Sequence, residues 1–127
     1  MTPPRVLVVD DEEDFLETMV NRLKRRGLEA KGALSGPEAL QMIAAESFDV
    51  VVLDVRMPGM DGIEVLREIK NRWPFLEVIM LTGHGSVESG IQGMRLGAFD
   101  YVMKPADLED LLGKILQAHE RRSLRED

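Results

Sequence analysis

Apolar and polar positions along the chain fall into two alternating patterns. Unbroken apolar runs stand at residues 6–9 (Val-Leu-Val-Val), 50–53 (Val-Val-Val-Leu) and 78–81 (Val-Ile-Met-Leu), with a shorter one at 101–103 (Tyr-Val-Met). Runs this short and this rich in β-branched residues predict strands buried on both faces. Residues 28–33 alternate only partly and predict an edge strand. The stretches between carry helical spacing. Phe15, Leu16, Met19, Val20 and Leu23 share one face, ended by Gly27 behind Lys24-Arg25-Arg26, a basic helix end. Ser35-Gly36-Pro37-Glu38 reads as a capping box ahead of Leu40, Ile43 and Ala44. Asp61 with Glu64 opens a third helix, marked by Ile63, Leu66 and Ile69. Val87, Ile91 and Met94 mark a fourth, stopped at Gly97. Leu108, Leu111, Leu112, Ile115 and Leu116 mark a fifth after Asp107. Gly90 and Gly93 make the fourth helix intrinsically weak, by about 1–2 kcal/mol for the pair.

Strict alternation of strand and helix through five units predicts an α/β fold: a doubly wound, five-stranded parallel sheet of flavodoxin-like order 2-1-3-4-5, with helices on both faces. The loops after strands 1, 3, 4 and 5 then meet at one rim, where ligands and chemistry collect in open α/β sheets. At 127 residues the chain makes one domain. It is read as an N-terminal tail over 1–4, the folded unit over 5–119, and a charged tail or the start of a linker over 120–127.

Net charge narrows the partners. A value of −7 argues against direct nucleic-acid binding by this domain, which needs a basic face. With no cysteine, a disulfide framework and a thiolate metal site are both excluded. The apolar runs stop at four residues, which excludes a membrane span and leaves a cytoplasmic location as the default.

Reactive groups stand immediately after the strands: Asp10-Asp11 after the first, Asp54 after the third, Thr82 after the fourth, Lys104-Pro105 after the fifth. Carboxylates about 5 Å apart at an effective dielectric of about 20 repel by about 3 kcal/mol per pair. A divalent cation and one lysine are the natural remedy, and a few hard oxygen ligands with room for water favour Mg²⁺ over Zn²⁺. An aspartate so neutralised can attack phosphorus, because both cations offset charge on the phosphoryl oxygens. Each residue also has a plainer reading. Asp10 and Asp11 suit a helix start, Thr82 and Tyr101 suit strand positions, and Lys104 suits a solvated charge.

Taken together, Val8-Val9-Asp10-Asp11-Glu12, residues 53–62 (Leu-Asp-Val-Arg-Met-Pro-Gly-Met-Asp-Gly), Leu81-Thr82-Gly83 and Tyr101-Val102-Met103-Lys104-Pro105 resemble a response regulator receiver domain across residues 5–119. The resemblance implies that Asp54 accepts a phosphoryl group from a sensor histidine kinase or phosphotransfer protein. It implies Mg²⁺ held by Asp10, Asp11, Asp54 and the backbone carbonyl of Arg56, with Lys104 and Thr82 on the phosphoryl oxygens. Thr82 and Tyr101 would form the switch, Tyr101 swinging inward as Thr82 moves, and Pro105 would follow a cis peptide bond. Such a domain is a switch more than a turnover enzyme, and it acts on an output partner or a homodimer through helix 4, strand 5 and helix 5. Arg56 and His84 hold positions that line the approach of water in this family. The loop Thr82-Gly83-His84-Gly85 looks like those of receivers joined to transcriptional output domains. His84 and His119 are not expected to be phosphorylated.

Three other readings are open. A phosphatase of the haloacid dehalogenase type would want an aspartate two positions after Asp54, where Arg56 stands. A flavin- or nucleotide-binding module would want a phosphate cradle after strand 1, where five acids in a row, Asp10 to Asp14, stand instead. A receiver-like module that never meets phosphate would have no need of the full set of Asp11, Asp54, Thr82 and Lys104.

Overall fold

The computed structural model describes residues 2–83 and 87–126. Five strands, β1 (Arg5–Val9), β2 (Glu29–Ala33), β3 (Val50–Asp54), β4 (Glu77–Thr82) and β5 (Asp100–Met103), alternate with five helices. These are α1 (Glu13–Arg25), α2 (Gly36–Ala45), α3 (Gly62–Arg72), α4 (Val87–Arg95) and α5 (Leu108–Glu126). All strand pairs are parallel and the order is β2-β1-β3-β4-β5. This is the doubly wound arrangement that the alternation predicts.

The three central apolar runs form the middle of the sheet, where both faces are covered. Leu7, Val9, Val51, Leu53, Val78 and Met80 pack toward α2 and α3 in one core. Val6, Val8, Val50, Val52, Ile79 and Leu81 pack toward α1 and α5 in the other. Period-2 alternation inside each run thus feeds two cores at once, which is why the runs are continuously apolar. Ser35 caps α2 through its Oγ, which accepts from the Glu38 amide at 3.2 Å, and Asp61 caps α3 by accepting from the Glu64 amide at 3.0 Å.

Helix α4 differs from its apolar spacing. Ile91 and Met94, whose spacing marks the helix, are exposed at 49% and 43%. Its inner face is made by the glycines instead. A Cβ on Gly93 would come within 3.2 Å of Met80, and one on Gly90 would lie 3.5 Å from the Tyr101 ring. Small residues let the helix axis approach the sheet, so the side chains one step round the helix are left outward.

Helix α5 runs through the charged stretch to Glu126. Its last turns are held at the amino-terminal end of the sheet by Glu77, a fully buried carboxylate on the first residue of β4. Lys70 approaches Glu77 Oε1 at 3.4 Å, Arg125 at 3.6 Å, and Arg121 pairs with both carboxylate oxygens. Arg121 and Arg125 also stack on Phe99 and Phe75, with guanidinium carbons 5.2 and 5.0 Å from the ring centres. Nearby, Arg122 meets Asp49 at 3.4 Å and His119 meets it at 3.7 Å. Burial pulls the Lys70 ammonium down from its ordinary range, and the Glu77 charge opposes that shift.

Candidate functional site

The rim at the carboxyl ends of β1, β3 and β5 gathers Asp10, Asp11, Asp54 and Lys104 of the predicted residues. Asp10 follows β1 directly and is fully buried; Asp54 is the last residue of β3 and is 5% exposed; Asp11 faces outward. One carboxylate oxygen from each of the three lies within 4.8 Å of the other two. Asp10 uses both its oxygens. Oδ1 accepts from the Glu12 amide at 2.9 Å, fixing the turn into α1, and Oδ2 accepts from Lys104 Nζ at 2.7 Å. Asp10 thus shapes the turn before α1 without capping the helix, whose N-cap position is Glu12 and carries no side-chain cap, and it belongs to the charged site.

Lys104 follows β5, and its peptide bond to Pro105 is cis, as the resemblance implies. Its ammonium spans the rim, 2.7 Å from Asp10, 3.4 Å from Asp54 and 3.7 Å from Glu12. It also stands 4.5 Å from the ring centre of Phe15, an α1 residue whose role at the rim sequence spacing does not reveal. Burial works against the ammonium, but the Asp10 hydrogen bond and the charges of Asp54, Asp10 and Glu12 raise its pKa above the usual lysine value. Asp54 is pushed up to about 6. Burial is the main cause and the Asp10 charge the second, with Lys104 and the Arg56 backbone amide pulling the other way. One ammonium does not neutralise this cluster.

The donor set fits a hard divalent cation. It is all oxygen, Asp11 lies on the open side where waters can complete the shell, and the raised Asp54 pKa records charge that a cation would relieve. The Arg56 side chain is exposed, and its backbone amide serves the Asp54 carboxylate. Thr82 closes β4, 1% exposed, and its hydroxyl donates to Met103 Sδ at 3.5 Å. Tyr101 is 39% exposed on β5, against α4. His84, Gly85 and Ser86 lie outside the described residues.

Gly62 sets how closely α3 approaches this rim. A Cβ there would press on the Asp54 carbonyl oxygen and come within 2.7 Å of Val55 Cα, and backbone cannot step aside. Gly62→Ala is expected to destabilise by about 2 kcal/mol, measured by urea unfolding. Gly113→Ala is the control, since a Cβ there meets open space.

The response regulator receiver domain model matches residues 6–116. The chain is 37% identical over 123 residues to the Regulatory protein AtoC of Escherichia coli, covering 97% of this chain and 27% of that protein. It is 40% identical over 125 residues to Response regulator MprA of Mycolicibacterium vanbaalenii, covering 98% and 54% respectively. The chain thus spans about a quarter to about half the length of these curated relatives. Among solved structures, the response regulator receiver domain protein from Clostridium thermocellum superposes with a TM-score of 0.92 at 39% identity, over 95% of this chain and 98% of that one. The receiver domain of NtrX from Brucella abortus does so at 0.87 and 35%, over 91% and 98%. No helix among the described residues is long and apolar enough to cross a membrane.

Proposed function

The chain belongs to the response regulator receiver domains of two-component signalling, and from that premise we propose that Asp54 is its phosphoacceptor, served by Mg²⁺ and charged by a sensor histidine kinase or a phosphotransfer protein. The observation that carries the reading is the Lys104 ammonium bridging Asp10 and Asp54 beside the third carboxylate of Asp11. In the transfer, an Asp54 carboxylate oxygen bonds to phosphorus as the bond from phosphorus to the donor imidazole nitrogen breaks. The imidazole leaves with its electron pair and takes a proton. Asp10, Asp11, Asp54 and the Arg56 carbonyl would hold Mg²⁺, which would supply charge stabilisation for the phosphoryl oxygens. Lys104 supplies the second positive charge from within the chain, oriented by Asp10. Thr82 then turns its hydroxyl to a phosphoryl oxygen.

The product is a covalent acyl phosphate on the protein itself, so the domain works as a switch whose slow self-hydrolysis ends the signal. Its exposed apolar side chains Ile91 and Met94 on α4 and Tyr101 and Met103 on β5 are available to an output domain or a second copy of the chain. Treatment with acetyl phosphate and Mg²⁺ is expected to add one phosphoryl mass in intact-mass spectra. Chelator or Asp54→Asn should abolish the adduct; its survival in either would overturn the reading.

A further inference from the structure

We propose that Met103 is a positioning residue of the switch: its thioether holds the Thr82 hydroxyl in the unphosphorylated protein and releases it when Asp54 is charged. This rests on Asp54 being the phosphoacceptor. The β4–β5 register places Thr82 directly opposite Met103, and both project on the Met80 and Tyr101 side of the sheet. Thr82 is buried, so its hydroxyl needs an acceptor before any phosphoryl group exists, and Met103 Sδ at 3.5 Å is that acceptor. The Thr82 backbone is pinned from the residue that follows Met103, because its carbonyl accepts from the Lys104 amide at 2.7 Å. What remains free is rotation about the Thr82 Cα–Cβ bond, between two staggered positions.

The two acceptors are unequal. A thioether is a weak acceptor, whereas a phosphoryl oxygen carries charge and binds a hydroxyl far better. The sulfur therefore keeps the resting hydroxyl satisfied without competing once Asp54 is phosphorylated. Met103 is itself 42% exposed, on the same strand face as Tyr101. Release of Thr82 consequently frees a flexible surface side chain two residues from Tyr101, so the change reaches the outer face through β5.

Substituting position 103 separates a hydrogen-bonding role from simple packing. Met103→Leu keeps the volume and removes the acceptor. Met103→Gln keeps an unbranched chain and offers a stronger one. The reporter is the methyl group of Thr82, one of three threonines in the chain, labelled with ¹³C and read by NMR with and without acetyl phosphate and Mg²⁺. Without phosphodonor, Met103→Leu is expected to move the Thr82 methyl resonance part-way toward its phosphorylated position, with the switched population raised about threefold, as loss of a weak hydrogen bond gives. Met103→Gln is expected to move it the opposite way. Displacement of both variants in one direction, or of neither, would overturn the assignment. Intact mass on the same samples separates the two layers: an adduct in all three proteins with a flat methyl series defeats the Met103 role alone. Absence of an adduct from the parent defeats the phosphoacceptor reading and this inference with it.

Discussion

Freed of divalent cations at pH 7, the Asp54→Asn protein is expected to be more stable than the parent by about 1–2 kcal/mol. The folded protein holds the Asp54 proton with a pKa pushed from 3.8 to about 6, chiefly by burial and then by the Asp10 charge. A shift of about two pKa units corresponds to about 3 kcal/mol against the ionised native state. Part of that gain is lost in the variant, since Lys104 gives up one of its carboxylate neighbours. The sign follows from linkage. For an acid whose folded pKa lies above its unfolded one, ionisation costs the native state stability. That cost is absent below about pH 4, grows between about pH 4 and 6, and is complete above. The advantage of Asp54→Asn should therefore shrink to nothing as urea titrations are repeated down to pH 4. Saturating Mg²⁺ should reverse the order, because a cation at one hundred times its dissociation constant adds about 2.7 kcal/mol to whichever protein binds it. Equal stabilities at every pH, with no response to Mg²⁺, would show that Asp54 bears no unrelieved charge.

At the opposite end of the sheet, Glu77→Gln is expected to cost about 2–4 kcal/mol. The substitution keeps the shape and leaves Lys70 and the two arginines facing a neutral amide in a fully buried position. Lys70 bears most of the penalty, since its side chain is only 14% exposed, whereas Arg121 and Arg125 at 44% and 36% can regain water. Lys70→Met combined with Glu77→Gln should accordingly recover a large part of the loss. Hydrogen exchange gives a second readout: residues 119–126 should exchange faster in Glu77→Gln, because that carboxylate ties the end of α5 to the sheet. An unchanged urea midpoint and unchanged protection would mean that the last turns of α5 stand without it.

Local pattern carried the fold far. The runs at 6–9, 50–53 and 78–81 announced buried strands because the middle of a parallel sheet covered on both faces favours apolar side chains, with the polar Glu77 and Thr82 only at the two ends of β4. Asp10 and Asp54 were legible as one site with Asp11 and Lys104. Asp10-Asp11 and Asp54 follow two of those runs, Lys104 follows the shorter run at 101–103, and topology then brings them to one rim. What escaped was long-range or contrary to period. Glu77 opens a strand and finds its arginines 44 and 48 residues later, a pairing no spacing rule contains. For the same reason the charged stretch after residue 119 was open between a tail, a frayed helix end and the start of a linker. The ion pairs of its arginines with Glu77 accompany its helix to Glu126. In α4, Ile91 and Met94 carry a core-like period, yet glycine on the adjoining face let the helix settle with them outward. The sulfur of Met103 beside Thr82 follows from strand register, which the sequence order alone does not specify.

The central claim is that the carboxylate of Asp54, and no other acid at the rim, takes the phosphoryl group. Borohydride reduces an acyl phosphate to a primary alcohol, so it writes the site of attachment permanently into the chain as homoserine. The protein treated with acetyl phosphate and Mg²⁺, reduced, digested and sequenced by mass spectrometry, is predicted to carry homoserine at position 54 and at no other acidic position. Homoserine at position 10 or 11, or its absence from position 54 in protein that bears the adduct mass, would contradict the account.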